Sequence, residues 1–266
     1  MGARTEFRHL SPARAVPSVV PMSSTEPALQ AEGLHKRYGD TVAVDDVSLR
    51  VEPGEVFGIL GANGAGKTTT VEIIAGLREP DRGRVRVLGL DPQRDRAQVR
   101  QLLGVQLQQA CLHNALTVAE LLDLYRSFYP EPRTAEELLE LVGLTEQRRV
   151  RFEKLSGGQQ QRLSIALALV GRPRVVVLDE LTTGLDPRAR RRMWTTIERL
   201  RDEGVTVLLV SHAMDEVEHL CDRVALLDAG RVLALDAPTA LVRRAGAETL
   251  EDAFLAFTGK EPEDAG

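Results

Sequence analysis

The chain has 266 residues, 43% of them hydrophobic and 27% charged, with a net charge of -5. That length accommodates one large α/β domain with a sizeable core, and the acidic balance excludes the basic surface of a dedicated nucleic-acid binder. No apolar run reaches the ~18 residues that span a bilayer. The two cysteines, Cys111 and Cys221, lack metal-ligand spacing and read as reduced thiols.

Residues 1–28 are rich in Pro, Ser, Ala and Arg and carry no lasting periodicity, so a disordered N-terminal extension is expected there. An α/β domain is expected over 29–243. Val47, Leu49 and Val51 alternate with Ser48 and Arg50, the period of a half-buried strand. The run 56–60 reads as a buried strand, followed by a Gly-rich loop and then a helix over 67–75 that Gly76 ends. Next comes a mostly helical insert beginning near Arg94, about 94–165 in all. Within it, Thr117 with Glu120 and Thr134 with Glu137 form S/T-x-x-E capping boxes, predicting helices over 118–129 and 135–142. Strand-like runs return at 175–178, 205–210 and 224–227, with helices between them. A C-terminal tail with a short helix is expected over 244–266, and no internal repeat is present.

Gly61-Ala62-Asn63-Gly64-Ala65-Gly66-Lys67-Thr68 matches G-x-x-x-x-G-K-S/T between a predicted strand and a predicted helix, the context that distinguishes a phosphate-binding P-loop. Glycines let backbone N–H groups turn toward phosphate oxygens, and the helix start adds positive potential. Lys67 would reach the β- and γ-phosphates, the Thr68 hydroxyl would ligate Mg²⁺, and Thr69 beside it is a further candidate for binding the nucleotide. The run 175–178 then carries Asp179 and Glu180 to a strand's C-terminal end, where open α/β sheets bind ligands. Asp179 suits Mg²⁺, often through water, which leaves Glu180 to polarise an attacking water.

Between these two segments lies Leu155-Ser156-Gly157-Gly158-Gln159-Gln160-Gln161-Arg162. This LSGGQ run resembles the signature of the ATP-binding cassette (ABC) family. Physically it is a second phosphate-binding helix start, predicting a helix over 159–170. The interval from Lys67 to Ser156 holds a compact insert but not the long coiled coils of the related chromosome-maintenance and repair ATPases. The resemblance implies an α/β P-loop fold with a RecA-like core, an antiparallel β subdomain and a helical signature subdomain. It also implies ATP and Mg²⁺ as ligands, with Tyr38 stacking on adenine and Asp186 in a loop that crosses between subunits. His212 would be the switch histidine at the γ-phosphate. Gln108 would be the glutamine linking the Mg²⁺ site to a membrane partner, with Gln106 and Gln109 as rivals for that register. Leu181 and Ala62 stand where the family commonly has proline, and neither change removes a liganding group. His9, His35, His113, His219 and the arginines from Arg188 to Arg192 read as surface or satisfied groups.

In such a family two cassettes sandwich two ATP molecules, so a homodimer or a pairing with a second ABC subunit is implied. A separate integral membrane permease would hold the complex at the inner face of the cell membrane, with this subunit cytoplasmic. The tail Leu250-Glu251-Asp252-Ala253-Phe254-Leu255-Ala256-Phe257-Thr258-Gly259 resembles the LEDVFLxLTG ending of bacterial drug, antibiotic and polysaccharide or lipid exporters. An export ATPase is therefore expected, with an importer subunit or a soluble assembly ATPase as alternatives.

Overall fold

The computed structural model describes residues 26–107, 112–182 and 184–259. In chain order these form β1 (Leu29–Tyr38), β2 (Thr41–Val51), β3 (Val56–Leu60), α1 (Lys67–Ile74) and β4 (Arg82–Val87). Next come α2 (Arg96–Leu102), β5 (Leu103–Gln106), α3 (Val118–Arg126), α4 (Ala135–Val142) and α5 (Gly157–Ala168). Strands and helices then alternate through β6 (Val175–Asp179), α6 (Pro187–Asp202), β7 (Thr206–Ser211), α7 (Met214–Leu220) and β8 (Arg223–Asp228). The described chain ends with β9 (Arg231–Asp236), α8 (Pro238–Ala245) and α9 (Leu250–Thr258).

The strands make two sheets. One is antiparallel and three-stranded, ordered β2-β1-β4; the other has six strands ordered β5-β6-β7-β3-β8-β9. All pairs in the larger sheet are parallel except β8 with β9. Its central strands β3, β6 and β7 are buried along their whole length, as parallel strands covered on both faces must be. This is the α/β P-loop architecture expected from the sequence.

Strand alternation divides the interior into two cores. Leu60, Val176, Leu178, Val207, Leu209, Val224 and Leu226 face one way and pack with Leu121, Leu138, Leu163 and Ile197 from the helices. Phe57, Ile59, Val175, Val177, Leu208, Val210, Ala225 and Leu227 face the other, against α1 and the three-stranded sheet. Because successive side chains in a strand point to opposite faces, a one-residue slip would exchange the two sets.

The capping boxes form as read. Thr117 accepts from Glu120 N and Thr134 from Glu137 N, while each Glu carboxylate accepts from its cap residue's N–H at 2.8 Å. Helix α3 stops at Arg126 rather than residue 129. Ser127, Phe128 and Tyr129 each donate to the carbonyl three residues back, and the Ser127 hydroxyl donates to Leu124 O at 2.6 Å. Helix α5 begins at Gly157, earlier than read, because Ser156 is its N-cap. The stretch read as mostly helical also contains a strand: β5 lies within it and forms the edge of the large sheet through its ladder with β6. Strand β9 was not anticipated. It follows the two-residue turn Ala229-Gly230, both at positive φ, the geometry that suits a tight hairpin.

Candidate active site

The P-loop runs from the end of β3 into α1, and two of its glycines are dictated by close backbone approach. A Cβ at Gly61 would lie 2.4 Å from Leu227 O, and one at Gly66, where φ is 94°, would lie 2.2 Å from Ala43 O. Any other side chain would displace strand backbone. The loop is braced by the β8–β9 turn, since Gly230 N donates to Ala65 O at 3.0 Å while Gly230 O accepts from Asp45 N at 2.8 Å. Lys67 is 7% exposed, and its Nζ donates to Gly61 O at 2.7 Å and Ala62 O at 3.0 Å. The ammonium is thus held over the loop by carbonyls that a phosphate could replace. Asn63, Gly64 and Thr68 are exposed and Thr69 half-buried.

Asp179 ends β6 and is 2% exposed, with Oδ2 buried and without a hydrogen-bond partner. Burial first, and then the adjacent Glu180 carboxylate, push its carboxyl up to about 6 against the opposing charge of nearby Lys67. A buried, unsatisfied carboxylate oxygen is costly unless something positive meets it. Together with the Thr68 hydroxyl at the start of α1, it offers the hard oxygen donors that suit Mg²⁺.

Glu180 follows at φ 53°, a left-handed backbone rarely taken by a glutamate. Its N–H donates to Val210 O at 2.9 Å, and its carbonyl accepts from Gln161 Nε2 of α5 at 3.1 Å. Its side chain, 15% exposed, reaches within 3.7 Å of His212 Nδ1, just past β7. Beneath His212, Ser211 Oγ donates to the buried Glu216 at 2.7 Å and accepts from Ala213 N at 3.0 Å, fixing the turn. Desolvation raises the Glu216 carboxyl above its ordinary value. The Gln161 and Gly230 contacts were missed from the sequence; Gly230 lies in an Asp-Ala-Gly turn signal, but nothing local marks Gln161.

Tyr38 closes β1 and is 39% exposed, its ring flanked by Arg78 at 5.2 Å and Lys36 at 5.9 Å from the centroid. Arg78 is itself held by Glu72 at 2.6 Å. An open aromatic face beside cations can take a base on its face and phosphates at its edge.

The signature lies on a separate element, the start of α5. Ser156 Oγ accepts from Gln159 N at 3.3 Å, and Gln159 Oε1 accepts from Ser156 N at 2.9 Å. Gly157 is open, while a Cβ on Gly158 would press Leu185 at 2.9 Å. Asp186 caps α6 by accepting from Arg188 N and Ala189 N, both at 2.9 Å, and these bonds hold its carboxyl below the usual range. Gln108 lies outside the described residues, as do Gln109 and Cys111; Cys221 is buried, and burial raises its thiol. His219 stacks on Trp194, and His35 lies 3.3 Å from Asp45.

The structure therefore gathers Lys67, Asp179, Glu180 and His212 at the C-terminal ends of β3, β6 and β7 and leaves Ser156 to Gln159 on their own helix start. Among the described residues, no helix is long and apolar enough to cross a membrane. A family model described as ABC transporter matches residues 44–183. The linearmycin resistance ATP-binding protein LnrL of Bacillus subtilis is 38% identical over 227 residues, spanning 84% of this chain and 73% of its own. The daunorubicin resistance ATP-binding protein DrrA3 of Streptomyces coeruleorubidus is 39% identical over 229 residues, 84% of this chain and 72% of its own. The Nod factor export ATP-binding protein I of Rhizobium etli is 40% identical over 230 residues, with coverage of 84% and 73%. A solved ATP-binding subunit of an ABC transporter superposes with a TM-score of 0.80 at 28% identity, covering 87% of this chain and 99% of that one. The dimeric post-hydrolysis structure of the cassette MJ0796 bound to ADP and Pi gives 0.72 at 26%, with coverage of 79% and 98%. Fold, site and relatives agree: this chain belongs to the ABC transporter family, as an ATP-binding and ATP-hydrolysing cassette.

Proposed function

We propose that the chain powers export of a small or lipid-like molecule through a separate membrane permease. It would act as one half of a cassette dimer on the cytoplasmic face of the cell membrane. The convergence of Lys67, Asp179, Glu180 and His212 carries the ATPase part of this reading. The exporter part rests on the resistance and export relatives and on the resemblance of the α9 segment to exporter endings.

In this reading the N–H groups of residues 61–68 and the start of α1 hold the triphosphate, with Thr69 as a further nucleotide contact. Lys67 leaves the Gly61 and Ala62 carbonyls for the β- and γ-phosphates, and Tyr38 carries the adenine. Thr68 and Asp179, with Gln108, would hold Mg²⁺, which when bound neutralises charge on the phosphate oxygens. Glu180 accepts the proton of the attacking water, and His212 donates toward the γ-phosphate, its ring set by the Ser211–Glu216 turn. Ser156, Gly157, Gly158 and Gln159 of a second copy close the nucleotide from the far side, beside Asp186. The γ-phosphate then favours the closed dimer and its loss releases it, a ligand-biased two-state switch.

The test is transport in vesicles containing this chain and its permease. Export from a cell appears as ATP-dependent uptake into inside-out vesicles. Uptake confined to right-side-out vesicles, or dependence on an external solute-binding protein, would make the assembly an importer.

A further inference from the structure

Gln106 is buried, 2% exposed, at the last position of β5. The β5–β6 ladder ends there, with Gln106 opposite Leu178, while β6 continues one residue to Asp179 and pairs with β7 on its other side. The Asp179 N–H that emerges beyond the ladder is met by a side chain: Gln106 Oε1 accepts it at 3.2 Å. The other end of the same amide, Nε2, donates to Leu107 O at 3.0 Å. A buried amide is tolerated when both its ends are satisfied, and here they are satisfied by two backbone groups, one on β6 and one just past the end of β5. One is the peptide of the carboxylate assigned to the metal. The other is the carbonyl one residue ahead of Gln108 in sequence.

We propose that Gln106 is a positioning residue, a tether that fixes the Asp179 peptide to the end of β5 and to Leu107, so that the metal-binding carboxylate is held in place. An apolar side chain of the same volume would fill the space equally well but leave a buried N–H without a partner and let Asp179 shift independently. Gln106 itself touches no substrate; it acts through the backbone of Asp179, as groups behind a metal ligand commonly do. This inference rests on the functional reading given above.

The experiment compares the full-length chain with Gln106→Met, which keeps length and volume and loses both bonds. Val177→Ala on β6, which touches neither bond, serves as a packing control. ATP binding is measured by calorimetry in EDTA and in Mg²⁺, amide exchange at Asp179 by NMR, and Tm for each variant. In Gln106→Met the Asp179 amide should exchange faster. The Mg²⁺-dependent part of ATP binding should weaken about tenfold, the size typical when a group behind a metal ligand is lost, with binding in EDTA little changed. Val177→Ala should lower Tm with neither effect. Should Gln106→Met not fold, Gln106→Asn, one methylene short of spanning both partners, should show the same pattern in weaker form. Unchanged Asp179 exchange in the Gln106 variants, or equal loss of Mg²⁺-dependent binding in Val177→Ala, would overturn the tether. Failure of the unaltered chain to bind ATP would instead overturn the functional reading, because the exchange comparison reads the tether without nucleotide.

Discussion

Replacing Glu180 by Gln tests the assignment of the base most directly, because the exchange removes the proton-accepting charge and keeps the side chain's size. The amide has the carboxylate's shape, and the backbone hydrogen bonds of this residue, to Val210 O and from Gln161 Nε2, are kept. Loss of a general base lowers turnover by about 10²–10⁴, or roughly 2.7–5.4 kcal/mol of barrier at 1.36 kcal/mol per tenfold. Nucleotide binding should survive for a reason visible in the site. After burial, the Glu180 charge is the strongest influence raising the Asp179 carboxyl, which stands at about 6. Neutralising Glu180 lets Asp179 fall back toward the ordinary carboxylate range, so it is more fully ionised near neutral pH and a better partner for a cation. The variant should bind ATP at least as well as the parent and accumulate as an ATP-bound dimer. Phosphate release, calorimetry and size-exclusion chromatography with ATP report the three quantities. Near-normal turnover would refute the assignment, and parallel loss of ATP binding would show that Glu180 holds nucleotide instead of activating water.

Lys67→Ala should abolish tight nucleotide binding in calorimetry, since a charge-assisted contact to the triphosphate is lost. Tyr38→Ala should weaken ATP binding by about 1–3 kcal/mol, the worth of one stacked base, without creating a preference for GTP. An affinity for GTP well above that for ATP would contradict the role given to the ring. Thr134→Ala removes the N-cap of α4 at a cost of about 1 kcal/mol, so thermal unfolding should shift down by roughly 2–4 °C while ATP affinity stays unchanged.

The nucleotide loop was legible because its residue types answer local demands: Gly66 must be glycine where its φ is 94° and Ala43 O is 2.2 Å from any Cβ. The capping boxes were legible for the same reason, each being complete within four residues. Strand β5 was hidden because Leu103-Gly104-Val105-Gln106 is too short to show a period and owes its existence to pairing with β6. Strand β9 alternates weakly and has one buried residue, so only the Asp-Ala-Gly turn before it could have marked it in the sequence. The contacts of Gln161 with Glu180 and of Gly230 with Ala65 join residues far apart in sequence, and no local pattern encodes them. Gln106 was visible only as a rival for the register of Gln108; its bond to Asp179 N gives it a separate place in the structure.

The left-handed backbone of Glu180 has a consequence for how this protein trades robustness against work. An L-residue held there gives up about 1–2 kcal/mol that glycine would not. Glu180→Gly should therefore relieve backbone strain while abolishing turnover, and the gain would appear in the unfolding midpoint of the nucleotide-free chain. Held between the carbonyl of Val210 and the amide of Gln161, that backbone sets the direction in which the carboxylate leaves the end of β6.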